Sequence, residues 1–140
     1  MRRIFALVLA IVCVIGIAGC KGKTEVKIDY GTSKLYSKSD MDAAIKLIKK
    51  QFKNFGGCEL HSITYGGDEK CNDENIEWMN DLELANDNAE TFTECIMFRS
   101  SFHSPKENAG TFIPDKEYED WQWWLARSEK GSWKLMTWGY

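Results

Sequence analysis

The order of hydrophobic and polar residues divides the chain into three segments. Residues 4–17 are almost wholly apolar and follow Arg2 and Arg3. Residues 21–33 (KGKTEVKIDYGTS) are mostly polar, with several lysines. From residue 34 onward, apolar residues recur with the spacings of amphipathic helices and strands. We therefore expect a leader, a polar tether and a single domain over residues 34–140.

The first periodic segment of the domain predicts an amphipathic helix. Five apolar residues recur at intervals of four and three positions, namely Met41, Ile45, Ile48, Phe52 and Phe55. This spacing places them on one face of a helix, and lysines occupy the other faces. Ser39 is the expected N-cap and Gly56-Gly57 the expected end. The helix should therefore bury one apolar stripe against the rest of the domain.

Four later segments have the composition of strands, and one has the period of a short helix. The strand candidates are rich in β-branched and aromatic residues; they are residues 58–65, 91–103, 118–128 and 133–140. Asn72 is placed to begin the short helix, whose apolar residues are Ile76, Trp78, Met79 and Leu82. This order predicts an α+β domain, in which the helices pack on one face of an antiparallel sheet.

The leader has the features of a bacterial lipoprotein signal. Its apolar run of fourteen residues is shorter than the roughly 20 residues that span a bilayer, and its length fits a secretory signal peptide. It ends in Ile17-Ala18-Gly19-Cys20, which resembles the lipobox. We expect removal of residues 1–19 as a signal peptide and a diacylglyceryl group on Cys20. Residues 20–33 would then tether the domain to the outward-facing surface of the cell membrane.

Two alternatives stay open for this part of the chain. The leader could instead be an uncleaved signal anchor that ends in Gly19-Cys20 by chance. Within the tether, Val26, Ile28 and Tyr30 alternate with polar residues, which is also the pattern of a short strand.

The order of elements resembles a known fold. A leading amphipathic helix, a long late strand and a closing hairpin that ends in WKLMTWGY (residues 133–140) resemble the cone-shaped fold of nuclear transport factor 2 and ketosteroid isomerase. The chain is also similar to small lipoproteins of Gram-positive bacteria that carry such a domain. The resemblance covers residues 34–140 and implies a curved antiparallel sheet with the N-terminal helix packed on one face. It assigns no catalytic residue, because no position matches the general-base aspartate or the oxyanion tyrosine of the isomerase. A cystatin-like helix-on-sheet arrangement is the alternative.

Composition excludes several classes of protein. The full chain has a net charge of −3, and residues 20–140 contain 16 basic and 21 acidic residues, for a net charge of −5. This balance excludes a polybasic nucleic-acid binder, and the apolar content excludes a multi-span membrane protein and a disordered polyelectrolyte. No nucleic-acid partner is therefore expected.

The cysteines of the domain raise the question of a disulfide. Cys58–Cys71 is the local choice, and Cys95 is most simply a buried core thiol. A hairpin that turned at Gly66-Gly67 would place Cys71 opposite Ser62, about 13 Å from Cys58, which is too far for a bridge. The bridge would require the strand to end near Thr64, so the sequence leaves this pairing open.

No metal or other cofactor is predicted. Cys58, His61 and Cys71 are residue types that bind zinc. On a strand, however, Cys58 and His61 point to opposite faces, and a fourth ligand is not evident.

The two histidines are the candidates for acid–base chemistry. His61 and His103 both lie in strand candidates, and an imidazole titrates near neutral pH. Either could serve as a general base beside Glu119 or Asp120, or could be a half-exposed structural residue. The chain contains no G-x-S-x-G motif, no glycine-rich phosphate loop and no H-E-x-x-H motif.

Tryptophans are concentrated at the end of the chain. Five of the six lie within the last twenty residues: Trp121, Trp123, Trp124, Trp133 and Trp138. On a strand, Trp121 and Trp123 share one face and Trp124 points to the other. One of these faces should belong to the core, and the other should line a pocket, a partner surface or a dimer interface. The alternative, which the sequence leaves open, is that all of these rings belong only to the core.

These features lead to a functional expectation. We expect a lipid-anchored extracytoplasmic domain that binds a small molecule, an envelope glycan or a protein through an aromatic-lined concavity. The first alternative is an enzyme of the isomerase or dehydratase type, with His61 or His103 in a cone-shaped pocket. The second is an accessory envelope lipoprotein that forms a homodimer through its aromatic face.

Overall fold

A computed structural model describes residues 25–129 and 131–140. In chain order the elements are β1 (Lys27–Asp29), α1 (Lys38–Phe52), β2 (Glu59–Tyr65), a 3₁₀ turn (Asp68–Lys70), α2 (Asp73–Glu83), β3 (Glu94–His103), β4 (Glu117–Arg127) and β5 (Lys134–Gly139). The expectations for the leader and Cys20 concern residues outside the described ranges. Within those ranges, no helix is long and apolar enough to cross a bilayer.

The strands form one five-stranded sheet in the order β1-β2-β3-β4-β5. The predicted α+β class is confirmed: the domain has one mixed sheet and two helices, and the sheet does not close into a barrel. The prediction of a purely antiparallel sheet is wrong, because β1 pairs with β2 in parallel. The connection between these strands contains α1, and such a crossover returns the chain to the end of the sheet where it started.

β1 lies within the segment predicted as a tether. Lys27, Ile28 and Asp29 are opposite Ser62, Ile63 and Thr64 of β2. Val26, Ile28 and Tyr30 pack as partly buried side chains against the core. The alternative interpretation of residues 26–30 as a strand is therefore the one that the structure shows, and the sheet begins before residue 34.

α1 lies on one face of the sheet, here called the inner face. Its N-cap is Ser37 rather than Ser39, because Ser37 and Asp40 form a capping box that satisfies two free backbone N–H groups. Four residues of the predicted stripe, Met41, Ile45, Ile48 and Phe52, are buried within the helix, together with Ala44. The helix ends at Phe52, but Phe55 is still buried at 8 % exposure. Alternate residues of the sheet pack against this stripe, including Ile63, Phe98, Phe102, Trp123 and Leu125.

α2 lies on the opposite face, here called the outer face. Its Met79 is fully buried in a second cluster with Phe92, Cys95, Met97, Trp124 and Ala126. The expectation that both helices share one face is therefore wrong. β3 is apolar on both faces over residues 95–98. Each face must therefore be shielded from water by a different part of the chain.

Ion pairs join both helices to the end of the sheet. Arg127 donates to Glu94 at 2.7 Å and to Asp40 of α1 at 3.1 Å, and its guanidinium lies 4.1 Å above the ring of Trp133. On the outer face, Lys134 of β5 donates to Glu83 of α2 at 2.7 Å, and the Glu83 side chain is only 1 % exposed. The hydrogen bonds from Lys134 hold the pKa of Glu83 below its usual range.

Candidate functional site

α2 covers only part of the outer face and leaves a polar region uncovered. Along β3, the outward-facing residues change from the buried Cys95 and Met97 to the half-exposed Arg99, Ser101 and His103. We call this uncovered region the open half of the outer face. A buried sheet face is normally apolar, so polar side chains that cross several strands there mark a surface that is built to meet water or a ligand.

A row of residues crosses the open half from β2 to β5. Thr64 is opposite Arg99, Arg99 is opposite Gln122, and Gln122 is opposite Gly139. Residues directly opposite each other share a face, so Thr64, Arg99 and Gln122 form a polar line across the strands. The whole row, from Thr64 to Gly139, crosses three strand spacings and is about 14 Å long.

Two depressions lie along this row. A polar cavity of about 260 Å³ is lined by Ser62, Thr64, Arg99, Ser100, Ser101, Glu119 and Asp120. An aromatic cleft of about 110 Å³ is lined by Trp78, Gln122, Trp124, Thr137, Trp138, Gly139 and Tyr140. Because Arg99 and Gln122 are neighbours in the row, the polar cavity and the aromatic cleft lie side by side.

Arg99 is the cationic group among the residues that line the polar cavity. Its side chain is half-buried, and its guanidinium joins no ion pair and donates no hydrogen bond within residues 25–129 and 131–140. A guanidinium carries five N–H donors in a fixed plane. An Arg held in this way is available to donate to oxygen atoms of a ligand.

An irregularity in β4 places two carboxylates at the rim of the polar cavity. Trp121 is opposite Ser100 and Tyr118 is opposite Phe102, so Glu119 and Asp120 together face a single residue of β3. Asp120 has a φ of +56°, in the left-handed region that few residues other than glycine adopt. Bulges of this kind redirect side chains beside functional sites.

Both histidines lie beyond the polar cavity, where they share one carboxylate. Glu117 accepts at 3.0 Å from Nδ1 of His61 with one oxygen and at 3.0 Å from Nδ1 of His103 with the other. Nε2 of His103 lies 2.8 Å from Asp115, a residue with a φ of +53°. The histidines therefore meet, but their acidic partners are Glu117 and Asp115 rather than the expected Glu119 and Asp120.

The carboxylates around His103 favour its imidazolium form. Hydrogen bonds to Asp115 and then to Glu117 raise the pKa of His103 above the usual 6.5, and the same contact lowers the pKa of Asp115. His103 and Asp115 are both exposed, and solvent screens the attraction between exposed charged groups.

The raised pKa of His103 predicts a pH-dependent stability. Because the folded state holds the proton more tightly than the unfolded state, the stabilisation is complete below about pH 6.5 and is lost as the pH rises through the folded-state pKa. The difference in melting temperature between the wild type and His103→Gln should therefore be larger at about pH 6 than at about pH 9. Asp115→Asn should lower the pKa of His103 in an NMR titration. A difference in melting temperature that does not change with pH would contradict this prediction.

The structure separates the three tryptophans of β4. Trp123 is fully buried on the inner face, where its Nε1 donates to Ser100 at 2.8 Å. Trp121 is half-buried on the same face, and its buried Nε1 has no hydrogen-bond partner among the described residues. Trp124 lies on the outer face, where its ring meets Trp78 edge-on with centroids 5.1 Å apart. Of the three, Trp124 lines the aromatic cleft.

The thiols contribute no bridge to this region. Cys58, Cys71 and Cys95 are all free, so Cys58 and Cys71 are not joined here. β2 does not turn back as a hairpin at Gly66-Gly67, because it leads into the 3₁₀ turn and pairs with β3. Burial raises the pKa of the Cys95 thiol to about 12, which disfavours a nucleophilic thiolate. Among residues 25–129 and 131–140, no three His, Cys, Asp or Glu side chains are placed to hold a metal ion.

Sequence reasoning missed Arg99, Gln122, Glu117 and Asp115. A signal for Arg99 is nevertheless present, because Cys95, Met97, Arg99, Ser101 and His103 alternate along one face of β3 and change from apolar to polar. This change marks the point at which the cover of α2 ends. Glu117 and Asp115 carry no comparable pattern in the sequence.

Comparison of the chain with models of protein families, with curated proteins and with solved structures finds no match. Its function must therefore be inferred from the chemistry of the open half of the outer face.

Proposed function

We propose that the protein is a lipid-anchored, outward-facing domain that binds an uncharged glycan of the cell envelope on the open half of its outer face. The observation that carries this proposal is the half-buried, unpaired guanidinium of Arg99 in the middle of the cross-strand row. The leader with its Ile17-Ala18-Gly19-Cys20 motif supports the anchored location.

The polar cavity offers both donors and acceptors, as a polyhydroxylated ligand requires. Arg99 can donate to ring and carbonyl oxygens. Glu119 and Asp120 can accept from sugar hydroxyls, and Ser62, Thr64 and Ser101 can do either. The carboxylates at the rim disfavour a strongly anionic ligand, since like charges repel.

The aromatic cleft supplies the apolar contact. The rings of Trp78 and Trp124 meet edge-on, and Trp78 is 39 % exposed. An exposed indole can stack on the apolar face of a sugar ring while its N–H reaches a polar neighbour. A donor-rich cavity beside an aromatic cleft therefore favours a carbohydrate over a purely apolar molecule.

The shape of the region favours an extended ligand. The cavity of about 260 Å³ and the cleft of about 110 Å³ are both smaller than the roughly 300–1,000 Å³ of pockets that enclose small molecules. Their arrangement along about 14 Å of the sheet would fit one side of an oligosaccharide chain.

We extend the proposal to the architecture: the curved sheet and α1 would correspond to the cone-shaped fold that the sequence resembles. In a cone, the interior would lie between α1 and the sheet. Here that space is filled by aromatic side chains, including Phe52, Phe55 and Trp123. The ligand site therefore belongs on the outer face rather than inside the cone.

Binding can be tested with the tetrasaccharide of N-acetylglucosamine, a soluble uncharged probe, by titration against tryptophan fluorescence. The wild type should bind with a change in emission from Trp78 and Trp124. Arg99→Ala should weaken binding at least about tenfold, because hydrogen bonds from a charged donor contribute roughly 1.5–3 kcal/mol. Trp78→Ala should weaken it by a similar factor.

Two control variants test whether a loss of affinity is specific to the proposed site. Lys106→Ala changes an exposed loop residue, and Leu84→Ala changes an exposed residue that follows α2; neither should alter affinity. Absence of binding by the wild type up to millimolar probe, or an Arg99→Ala variant with wild-type affinity and an intact fold, would refute the proposed site.

A second candidate is an enzyme of the isomerase or dehydratase type. The observation that favours it is the pair of imidazoles that share Glu117, next to the polar cavity. An enzyme would convert the bound probe, and His103→Gln would abolish the conversion. Chromatography of the probe after prolonged incubation distinguishes the two candidates, since a binding domain returns it unchanged.

A further inference from the structure

Charge is divided unevenly along the chain. Residues 20–53 contain nine lysines and four acidic residues, for a net charge of +5. Residues 54–140 contain seven basic and seventeen acidic residues, for a net charge of −10. The cationic part thus includes the predicted lipidation site, the tether, β1 and α1.

The fold gathers four of these lysines around one groove. Lys46, Lys49 and Lys50 lie on α1 and Lys53 is its C-cap. All four are exposed, and they border a groove of about 880 Å³ between α1 and β1. The apolar part of its lining comes from Ile28, Ile45 and Leu47, with Tyr30 beside them. We call this surface the lysine face.

The ammonium groups of the lysine face are unpaired. Among the described residues, none of the four lies within 4 Å of a carboxylate. The acidic residue in the groove, Asp42, is engaged by the hydroxyl of Tyr30. The lysines are therefore available to an external anion.

We propose that the lysine face rests on the anionic phospholipid headgroups of the membrane that holds the lipid anchor. This inference rests on the anchored location in the proposed function. It adds a defined orientation of the domain relative to the membrane, which the lipid anchor by itself does not impose.

The short stretch of chain between Cys20 and β1 confines the lysine face to the membrane. Six residues separate Cys20 from Lys27, the first residue of β1. A fully extended chain advances at most about 3.6 Å per residue, so β1 lies within about 25 Å of the anchored cysteine. β1 forms one side of the groove, and the lysine face is therefore held close to the headgroups.

The rest of the domain favours the same orientation. An anionic bilayer attracts nearby lysines and repels acidic groups, and both effects act within a Debye length of about 10 Å. The lysine face would be attracted, and the acidic remainder repelled. Because α1 covers the inner face of the sheet, this orientation turns the outer face with Arg99 away from the bilayer, towards the envelope.

Amine labelling of the lipidated chain in vesicles tests the proposal. The protein is reconstituted in vesicles of phosphatidylcholine alone and in vesicles that also contain phosphatidylglycerol. It is then acylated briefly, and each lysine is quantified by mass spectrometry. Labelling of Lys46, Lys49, Lys50 and Lys53 should fall at least about fivefold when phosphatidylglycerol is present, and about 1 M salt should restore it, since the Debye length then falls to about 3 Å. Lys70 and Lys134, on the α2 side of the sheet, should label equally in both vesicles.

Charge-reversed variants provide a second readout. Lys46→Glu combined with Lys49→Glu should abolish the protection of Lys50 and Lys53, whereas Lys70→Glu should leave it unchanged. If the lysine face is labelled equally in both kinds of vesicle and the protein is still bound to them, the proposed orientation is wrong, although the lipid anchor is not contradicted. Failure to associate with phosphatidylcholine vesicles would contradict the anchor, and this inference with it.

Discussion

Replacing Ile48 with aspartate should unfold the domain. Ile48 is fully buried at the centre of the α1 stripe, against the inner face of the sheet. A carboxylate there would lose its hydration without gaining a partner. The loss should exceed about 4 kcal/mol, a large part of the roughly 5–15 kcal/mol by which domains are stable. Circular dichroism and thermal melting should show little or no cooperative transition.

Lys49→Asp is the matched control for this change. Lys49 is adjacent in sequence but exposed, so the same aspartate should change the free energy of unfolding by less than about 0.5 kcal/mol. Similar melting temperatures for the two variants would show that α1 is rotated differently about its axis.

Changing Cys20 to serine should abolish lipid attachment completely. In the proposed lipoprotein, the diacylglyceryl group would form a thioether with the sulfur of Cys20, and a hydroxyl is a far weaker nucleophile. Each methylene buried in the bilayer contributes about 0.8 kcal/mol, so loss of the acyl chains removes the main membrane attachment. Mass spectrometry of the wild type should give residues 20–140 plus lipid, whereas Cys20→Ser should retain an unmodified N-terminal region.

Cys13→Ser is the control for lipid attachment. Cys13 lies inside the predicted signal peptide, so its replacement should leave the mass of the mature protein unchanged. Recovery of wild-type protein that retains residues 1–19, or that has an unmodified Cys20, would contradict the lipoprotein interpretation.

Periodicity made much of the fold predictable. The stripe from Met41 to Phe52 is buried as the helical spacing requires, and the four strand candidates correspond to β2–β5 within a few residues. Local patterns of this kind report which face of an element is apolar. They do not report which element covers that face, so the sequence does not predict that α2 packs on the face opposite α1. Ile28 likewise has the pattern of a strand, but its parallel pairing with Ile63 depends on the path of α1.

The candidate site was harder to predict for a related reason. His61 and His103 stand out as the two histidines of the chain, and the structure brings them together. Their shared partner depends on the bulge at Glu119 and Asp120, which sets Glu117 opposite His103. A bulge of this kind has no clear signature in a single sequence. The tryptophans are concentrated in and after β4, whereas Arg99 of the polar cavity lies on β3.

The hydrogen bonds of Asp40 also determine when the domain can be completed during synthesis. β2 to β5 each pair with the strand before them, so the sheet can grow strand by strand as the chain emerges. Asp40 binds Arg127 through its carboxylate and Trp133 through its carbonyl oxygen, partners that are made 87 and 93 residues later. Until they arrive, α1 lacks the neighbours that fix it to the sheet, and its apolar stripe has only a partial cover. Residues at the end of β4 and directly before β5 therefore complete the packing of α1, and native folding depends on nearly the whole length of the chain.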